Sequence, residues 1–176
     1  MTEQTRPMAV VTGASSGIGR ALAEQFARNG FDVLIAAEDT ELDVAARELR
    51  ATGAAVTAVR VDLAGYDGVE ELYDAIRVTG RTPEALAVNA GVGVSGPFAD
   101  NDLADELRLV NLNVTSAVHL TRRVLPGMLH PFRGGSRLAR RCRGRTCRVR
   151  LGSQAKPGAG DRASARMLGD RGREPG

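Results

Sequence analysis

The stretch Thr12-Gly13-Ala14-Ser15-Ser16-Gly17-Ile18-Gly19 constrains this chain more than any other. Ahead of it stands Met8-Ala9-Val10-Val11, apolar and partly β-branched, which reads as a buried strand. Behind it, residues 20–29 carry a helical pattern in which Ile18, Leu22 and Phe26 recur four apart, and Gly30 supplies the stop. The glycines therefore occupy a strand-to-helix turn. Backbone N–H groups and the helix dipole make such a turn a holder for phosphate. A Cβ at these positions would block both the tight turn and the approach of a pyrophosphate.

The rest of residues 1–132 repeats the alternation. Residues 31–37 read as a second strand with a continuous apolar core. Thr40 begins a helix with Asp43 at its third position, close to a capping box, and Leu42, Ala45, Ala46 and Leu49 form its inner stripe. Residues 56–61 are a valine-rich third strand. Asp67 caps the next helix, with Val69, Leu72, Tyr73 and Ile76 facing inward and Gly80 closing it. Ala85-Leu86-Ala87-Val88 is a fourth strand, and residues 102–125 form a long helix ending near Pro126-Gly127. Strands alternating with helices of this length predict right-handed βαβ units and an α/β fold. That fold is a doubly wound parallel sheet with its ligand at the carboxyl ends of the strands.

Charge divides the chain. The formal net charge of +3 hides two opposite parts. Residues 1–132 hold 11 Arg against 18 acids, net −7, whereas residues 133–176 hold 12 Arg and one Lys against three acids, net +10. Of those last 44 residues, 28 are Arg, Gly, Ala or Pro and five are Val, Ile, Leu, Met or Phe. So little apolar surface does not offset conformational entropy, which predicts a disordered basic tail behind a domain of residues 1–132. All four enriched residues have GC-rich codons, as expected of sequence read out of frame from about residue 132; a natural basic tail is the alternative. No run approaches the ~20 apolar residues of a membrane span, and the first residues lack the apolar core of a secretory signal. Cys142 and Cys147 stand without companion ligands, against a zinc site or a disulfide framework. A cytoplasmic location with no membrane partner is expected.

The Gly-x-x-x-Gly-x-Gly spacing with Thr12 ahead of it resembles the cofactor loop of the short-chain dehydrogenase/reductase family, and further motifs follow in the family's order. Asp62-Leu63, past the third strand, look like the acidic-apolar pair that borders the adenine ring. Asn89-Ala90-Gly91, after the fourth, resembles the family's Asn-Ala-Gly motif, whose backbone approaches the cofactor ribose; an Asn there can also tie neighbouring strand ends together. Asn113-Val114-Thr115-Ser116, followed by Val124-Leu125-Pro126-Gly127-Met128, resembles the helix carrying the family's active-site Asn, which bends that helix and holds a water leading to the catalytic Lys.

The resemblance implies a Rossmann-like sheet of order 3-2-1-4 with a fifth strand on the fourth, a nicotinamide cofactor, and hydride transfer with small alcohol or carbonyl substrates. It places Gly13, Ser15, Ser16, Gly17, Ile18, Gly19, Glu38, Asp62, Leu63, Asn89, Ala90 and Gly91 on the cofactor and Asn113 at the catalytic centre. Glu38 lies nineteen residues past Gly19, where a ribose-binding acid belongs. Its carboxylate would accept from a 2′-hydroxyl and repel a 2′-phosphate, and no Lys or Arg stands at Ser15, Ser16 or Glu38 to favour the phosphate. The cofactor is thus NAD or NADP, with the lean to NAD.

There the resemblance stops. The family's chemistry also needs a Ser and a Tyr-x-x-x-Lys after the fifth strand. Tyr66 and Tyr73 are the only tyrosines, both ahead of that region, and Lys156, the only lysine, has Gly152 four residues before it. The expectation is a cofactor-binding fold without turnover. Two other readings stand beside it: a non-catalytic nucleotide-binding module, and nonspecific nucleic-acid binding through the tail, which has no aromatic to stack on bases. Without a fifth strand the fourth becomes a bare apolar edge, a template for oligomers or aggregates. The inner face of the long helix, with Leu103, Leu107, Val110, Val114 and Val118, would then be partly exposed.

Overall fold

Five buried residues in succession, Met8–Thr12, make β1, and the sheet grows outward on both sides of it. The computed structural model describes residues 6–129 and the backbone of residues 150–151. After β1 come α1 (Gly17–Arg28), β2 (Asp32–Ala37), α2 (Glu41–Arg50), β3 (Val56–Arg60), α3 (Tyr66–Val78) and β4 (Ala85–Val88). A short 3₁₀ turn at Phe98–Asp100 leads to α4 (Leu103–Val110), a π-helical turn at Asn111–Thr115, α5 (Ser116–Leu129) and β5 (Arg150–Leu151). The order is β3-β2-β1-β4-β5, parallel throughout, with Val10 opposite Leu34 on one side and Leu86 on the other.

Alternate residues of these strands feed two cores, as a parallel sheet covered on both faces requires. Val10, Leu34 and Leu86 pack with Leu72, Ile76, Leu120 and Val124 from α3 and α5. Val11, Val33 and Ile35 pack with Ala23, Ala27, Leu42 and Leu49 from α1 and α2. This is the doubly wound α/β arrangement the sequence predicts, in the predicted strand order.

Several local details depart from it. The Thr40 side chain makes no capping bond, so the box with Asp43 is not formed. Gly65 precedes α3, which leaves Asp67 inside the first turn, where its charge still favours the helix dipole. Ile18 is 54% exposed, because Gly19, Ala23 and Ala27 instead form the face by which α1 lies against the sheet. The long helix of residues 102–125 is interrupted by the π turn, whose extra residue rotates the faces beyond it. Leu112, Ser116, Ala117, Leu120 and Val124 are the buried ones. Leu103, Leu107, Val110, Val114 and Val118, read from periodicity as the inner face and expected to be partly exposed, are exposed. Pro126 does not end the helix, which continues to Leu129.

The edge of β4 is also not bare. Arg150–Leu151 pairs with it in parallel, Ala87 opposite Arg150 and Val88 opposite Leu151, so a short fifth strand exists where none was expected. The apolar–polar–apolar triplet Val149-Arg150-Leu151 is the signal in the sequence, since an open edge accepts any segment that can extend beside it. The remaining expectations for the tail, including its disorder, its nucleic-acid binding and the states of Cys142, Cys147 and Lys156, lie outside the described residues. Among the described residues no helix is long and apolar enough to cross a membrane.

A polar clamp ties α5 to α3. Glu70 Oε1 meets His119 Nε2 at 2.6 Å and accepts from Arg123 Nε at 2.7 Å, and a second Arg123 nitrogen donates to Glu70 Oε2. The Tyr66 ring stacks on His119, and the Arg123 guanidinium lies over Tyr73, 5.1 Å from its centre. Arg123 foremost, then His119, hold the Glu70 carboxyl down to about 2 from its ordinary 4.5. Because the folded value is the lower one, the carboxylate's contribution is complete above 4.5 and is lost as pH falls toward about 2. Thermal melts of the native chain and Glu70→Gln should therefore differ most above pH 4.5 and converge near pH 2. A difference independent of pH would show that the ion pairs do not hold the clamp.

Candidate functional site

The functional cleft is built where β1 hands over to α1. Gly13 and Gly17 both take positive φ, 64° and 54°, which lets the chain leave the strand and enter the helix within four residues. Ser16 occupies the N-cap position in extended conformation, but its side chain makes no capping bond, and the first turn carries no acid. The first N–H groups of a twelve-residue helix are thus left to an anion from outside. Gly19 lies so close beneath the loop that a Cβ there would stand 2.0 Å from the Gly13 carbonyl oxygen.

Thr12 and Asn89 lock the carboxyl ends of β1 and β4 together. Thr12 Oγ1 accepts from the backbone N–H groups of Asn89 and Ala90 at 2.9 and 3.0 Å. The Asn89 amide donates to the carbonyls of Thr12 and Gly13 at 3.2 and 3.3 Å. Its strand-tying role is thus present in the structure. Its Oδ1 is buried with no partner among the described residues, and so is Oδ1 of Asp39, whose other oxygen accepts from Ser15 Oγ at 2.7 Å. Two orphaned buried acceptors are costly in a folded chain, and hydroxyl or amide donors of a bound ligand would satisfy them.

On the other side, the ends of β2 and β3 bring Glu38, Asp62 and Leu63 to the same cleft. Neither carboxylate is free. Arg108 of α4 donates from Nη1 to Asp62 Oδ2 at 2.8 Å, and from Nη2 to Glu38 Oε2 at 2.5 Å and Asp62 Oδ1 at 3.3 Å. The Ala64 N–H adds a bond to Asp62 Oδ1 at 2.8 Å. Arg108 foremost, with the Ala64 N–H, holds the Asp62 carboxyl below its usual range against the opposing effect of burial.

Asn113 stands at the centre of the π turn. Its amide is spent on one backbone unit: Oδ1 accepts from Val92 N–H and Nδ2 donates to Val92 carbonyl oxygen, both at 2.9 Å. Asn113 thereby pins the loop after Gly91 to the helix, and a Cβ on Gly91 would come within 3.0 Å of its Oδ1. It does not line the cleft itself.

The cleft has a volume of about 230 Å³ and brings together Gly13, Ser15, Ser16, Glu38, Asp62, Leu63, Asn89, Ala90 and Gly91. Gly17, Ile18 and Gly19 shape the loop from behind without lining it. The sequence reading missed Ala37, Asp39, Val61, Val92 and Leu112 in the wall, and Arg108 bonded to Glu38 and Asp62. Asp39 was detectable as the neighbour of Glu38 on the same turn. Arg108 had no local signal, its partners lying 46 and 70 residues away.

A model of the short chain dehydrogenase family matches residues 7–136. The very-long-chain 3-oxoacyl-CoA reductase of Anas platyrhynchos is 38% identical over 133 residues, which cover 72% of this chain and 42% of that protein. L-Sorbose reductase from Gluconobacter frateurii, solved with NADPH and L-sorbose, superposes with a TM-score of 0.67 at 35% identity, over 70% of this chain and 48% of the other. A short-chain dehydrogenase from Sphingobium yanoikuyae in complex with NADPH gives 0.63 at 38% identity, over 68% and 48%. The chain spans about half the length of the relatives it matches. With the glycine loop, the Asn89 tie, the Asn113 turn and a family match over residues 7–136, this chain belongs to the short chain dehydrogenase family.

Proposed function

We propose that this chain binds a nicotinamide dinucleotide in the cleft at the carboxyl ends of β1–β4, with NADP(H) preferred, and does not itself transfer hydride. The observation that carries the binding is the pair of buried, unpartnered acceptors, Asn89 Oδ1 and Asp39 Oδ1, beside the uncapped start of α1. The pyrophosphate fits the N–H groups after Ser16. The adenosine falls on the β2–β3 side, between Glu38 and Asp62-Leu63, and the nicotinamide ribose on the β4 side, by Asn89-Ala90-Gly91. A nicotinamide cofactor held there would offer hydride chemistry that this chain does not complete; small carbonyls and alcohols are the substrate class that the family implies.

The lean to NAD rests on a free Glu38. With Arg108 on that carboxylate, and with NADPH or 5-hydroxy-NADP bound in solved relatives, NADP(H) is the better reading. Asn113 is a positioning residue here, holding the Val92 loop beside the cleft. The absence of turnover follows from the acid/base group. Both tyrosines belong to α3: Tyr66 is 69% exposed, Tyr73 packs against the core beneath Arg123 of α5, and neither lines the cleft. Fluorescence titration of the full chain with NADPH and NADH tests the binding. Saturable binding with NADPH the tighter is expected, and no binding of either overturns the reading.

A further inference from the structure

Arg108 of α4 does not line the cleft, but it is the one described side chain that hydrogen-bonds both Glu38 and Asp62, which line the end that would take adenosine. The three side chains are 38%, 50% and 48% exposed, so this bridge is open to solvent and not sealed in the core. Glu38 Oε2 is engaged by the guanidinium, which offsets the charge of this carboxylate while its Oε1 keeps lone pairs that a ribose 2′-hydroxyl could use. Three of the five guanidinium N–H donors are used on carboxylates, which leaves two for a further acceptor.

We propose that Arg108 is the residue that reads the 2′ position of the cofactor's adenosine ribose, neutralising Glu38 and giving its remaining N–H groups to a 2′-phosphate. This rests on the nicotinamide-dinucleotide reading above. Without the guanidinium, Glu38, Asp39 and Asp62 would present three carboxylates to a phosphate of charge about −1.5 to −2, and like charges at this range repel. With it, the cation offers its Nε–H and its second Nη1–H as single charge-assisted bonds, the Nη1/Nη2 fork being taken by Asp62. A bridge whose sole effect was to pin α4 to the strand ends would change the affinity for both cofactors alike. One that reads the 2′ position changes their ratio.

The test measures dissociation constants of NADPH and NADH by nicotinamide fluorescence on the full chain, native and as Arg108→Gln, Arg108→Lys and Glu38→Gln. Arg108→Gln should weaken NADPH about tenfold or more while leaving NADH unchanged or tighter, since Glu38 is then free for the 2′-hydroxyl. Arg108→Lys, which keeps the charge and loses the fork, should recover part of the NADPH affinity. Glu38→Gln should tighten NADPH relative to NADH. An equal loss for both cofactors in Arg108→Gln, or no change in either, overturns the assignment. Should a thermal melt show Arg108→Gln to be unfolded, Glu38→Gln decides, and an unchanged NADPH-to-NADH ratio there is equally fatal. If the native chain binds neither dinucleotide, the cofactor reading itself falls and takes this one with it. If the native chain binds while the ratio ignores both substitutions, only Arg108 has been misassigned.

Discussion

Gly19→Ala is expected to abolish cofactor binding and to destabilise the chain by ~1–3 kcal/mol or more, the cost of overpacking a tight site. The added Cβ would stand 2.0 Å from the Gly13 carbonyl oxygen and 2.5 Å from Asn89 Nδ2. Neither obstacle is the free end of a flexible side chain. The carbonyl belongs to the loop backbone, and the Asn89 amide is already bonded to Thr12 and Gly13. The Gly13 backbone has little room to retreat on its other side, where its own Cβ direction meets Ala90 Cα at 2.8 Å. Relief therefore requires the whole turn to shift, and with it the N–H groups meant for the pyrophosphate. Gly93→Ala is the control: its Cβ meets nothing within 4 Å, and its effect should stay within about ±0.5 kcal/mol. Denaturant melts and NADPH titration of both variants check the contrast. Native stability and affinity in Gly19→Ala would mean that the loop is not the rigid cradle described.

The second large effect is on catalysis. The full chain, supplied with NADPH or NADH and a panel of ketones, aldehydes and alcohols, should show no turnover by nicotinamide absorbance. Hydride transfer to a carbonyl builds negative charge on oxygen, and a proton must reach it. Loss of the positioned acid/base alone lowers the rate by ~10²–10⁴-fold. No tyrosine follows Asn113 in the sequence, and among the described residues no histidine, cysteine, lysine or tyrosine lines the cleft. Asn113 cannot substitute, since a carboxamide does not release a proton near neutral pH and this one is held on the Val92 backbone. Turnover that persists in the full chain and disappears in Gly19→Ala would show that another group delivers the proton at this same site.

How much of this was legible beforehand follows from how far each interaction reaches along the chain. The strands β1, β2 and β4 are runs of buried residues, and α1, α2 and α3 carry apolar stripes, so their order and the α/β class follow from local pattern. The loop from Gly13 to Gly19 is legible for the same reason, since its turn, its uncapped helix start and its close approaches are consequences of glycine at fixed spacing. Asn89 and Asp62 could be placed because each follows a strand directly, and in a parallel sheet the strand ends converge on one edge.

What tertiary structure alone decided are the contacts between segments distant in sequence. Helical periodicity put Leu103, Leu107, Val110, Val114 and Val118 inside, yet the π turn at Asn111–Thr115 rotates α5 so that Leu120 and Val124 meet the sheet. A single extra residue per turn leaves almost no mark on composition. The pairing of Arg150–Leu151 with β4 depends on an edge being open and a segment being able to reach it. Most consequential is Arg108. A sequence shows that a guanidinium and two carboxylates exist, but whether α4 carries one across to the other two is fixed by helix placement on the sheet. That placement changed Glu38 from a free ribose acceptor into one arm of an ion bridge, and with it the expected cofactor.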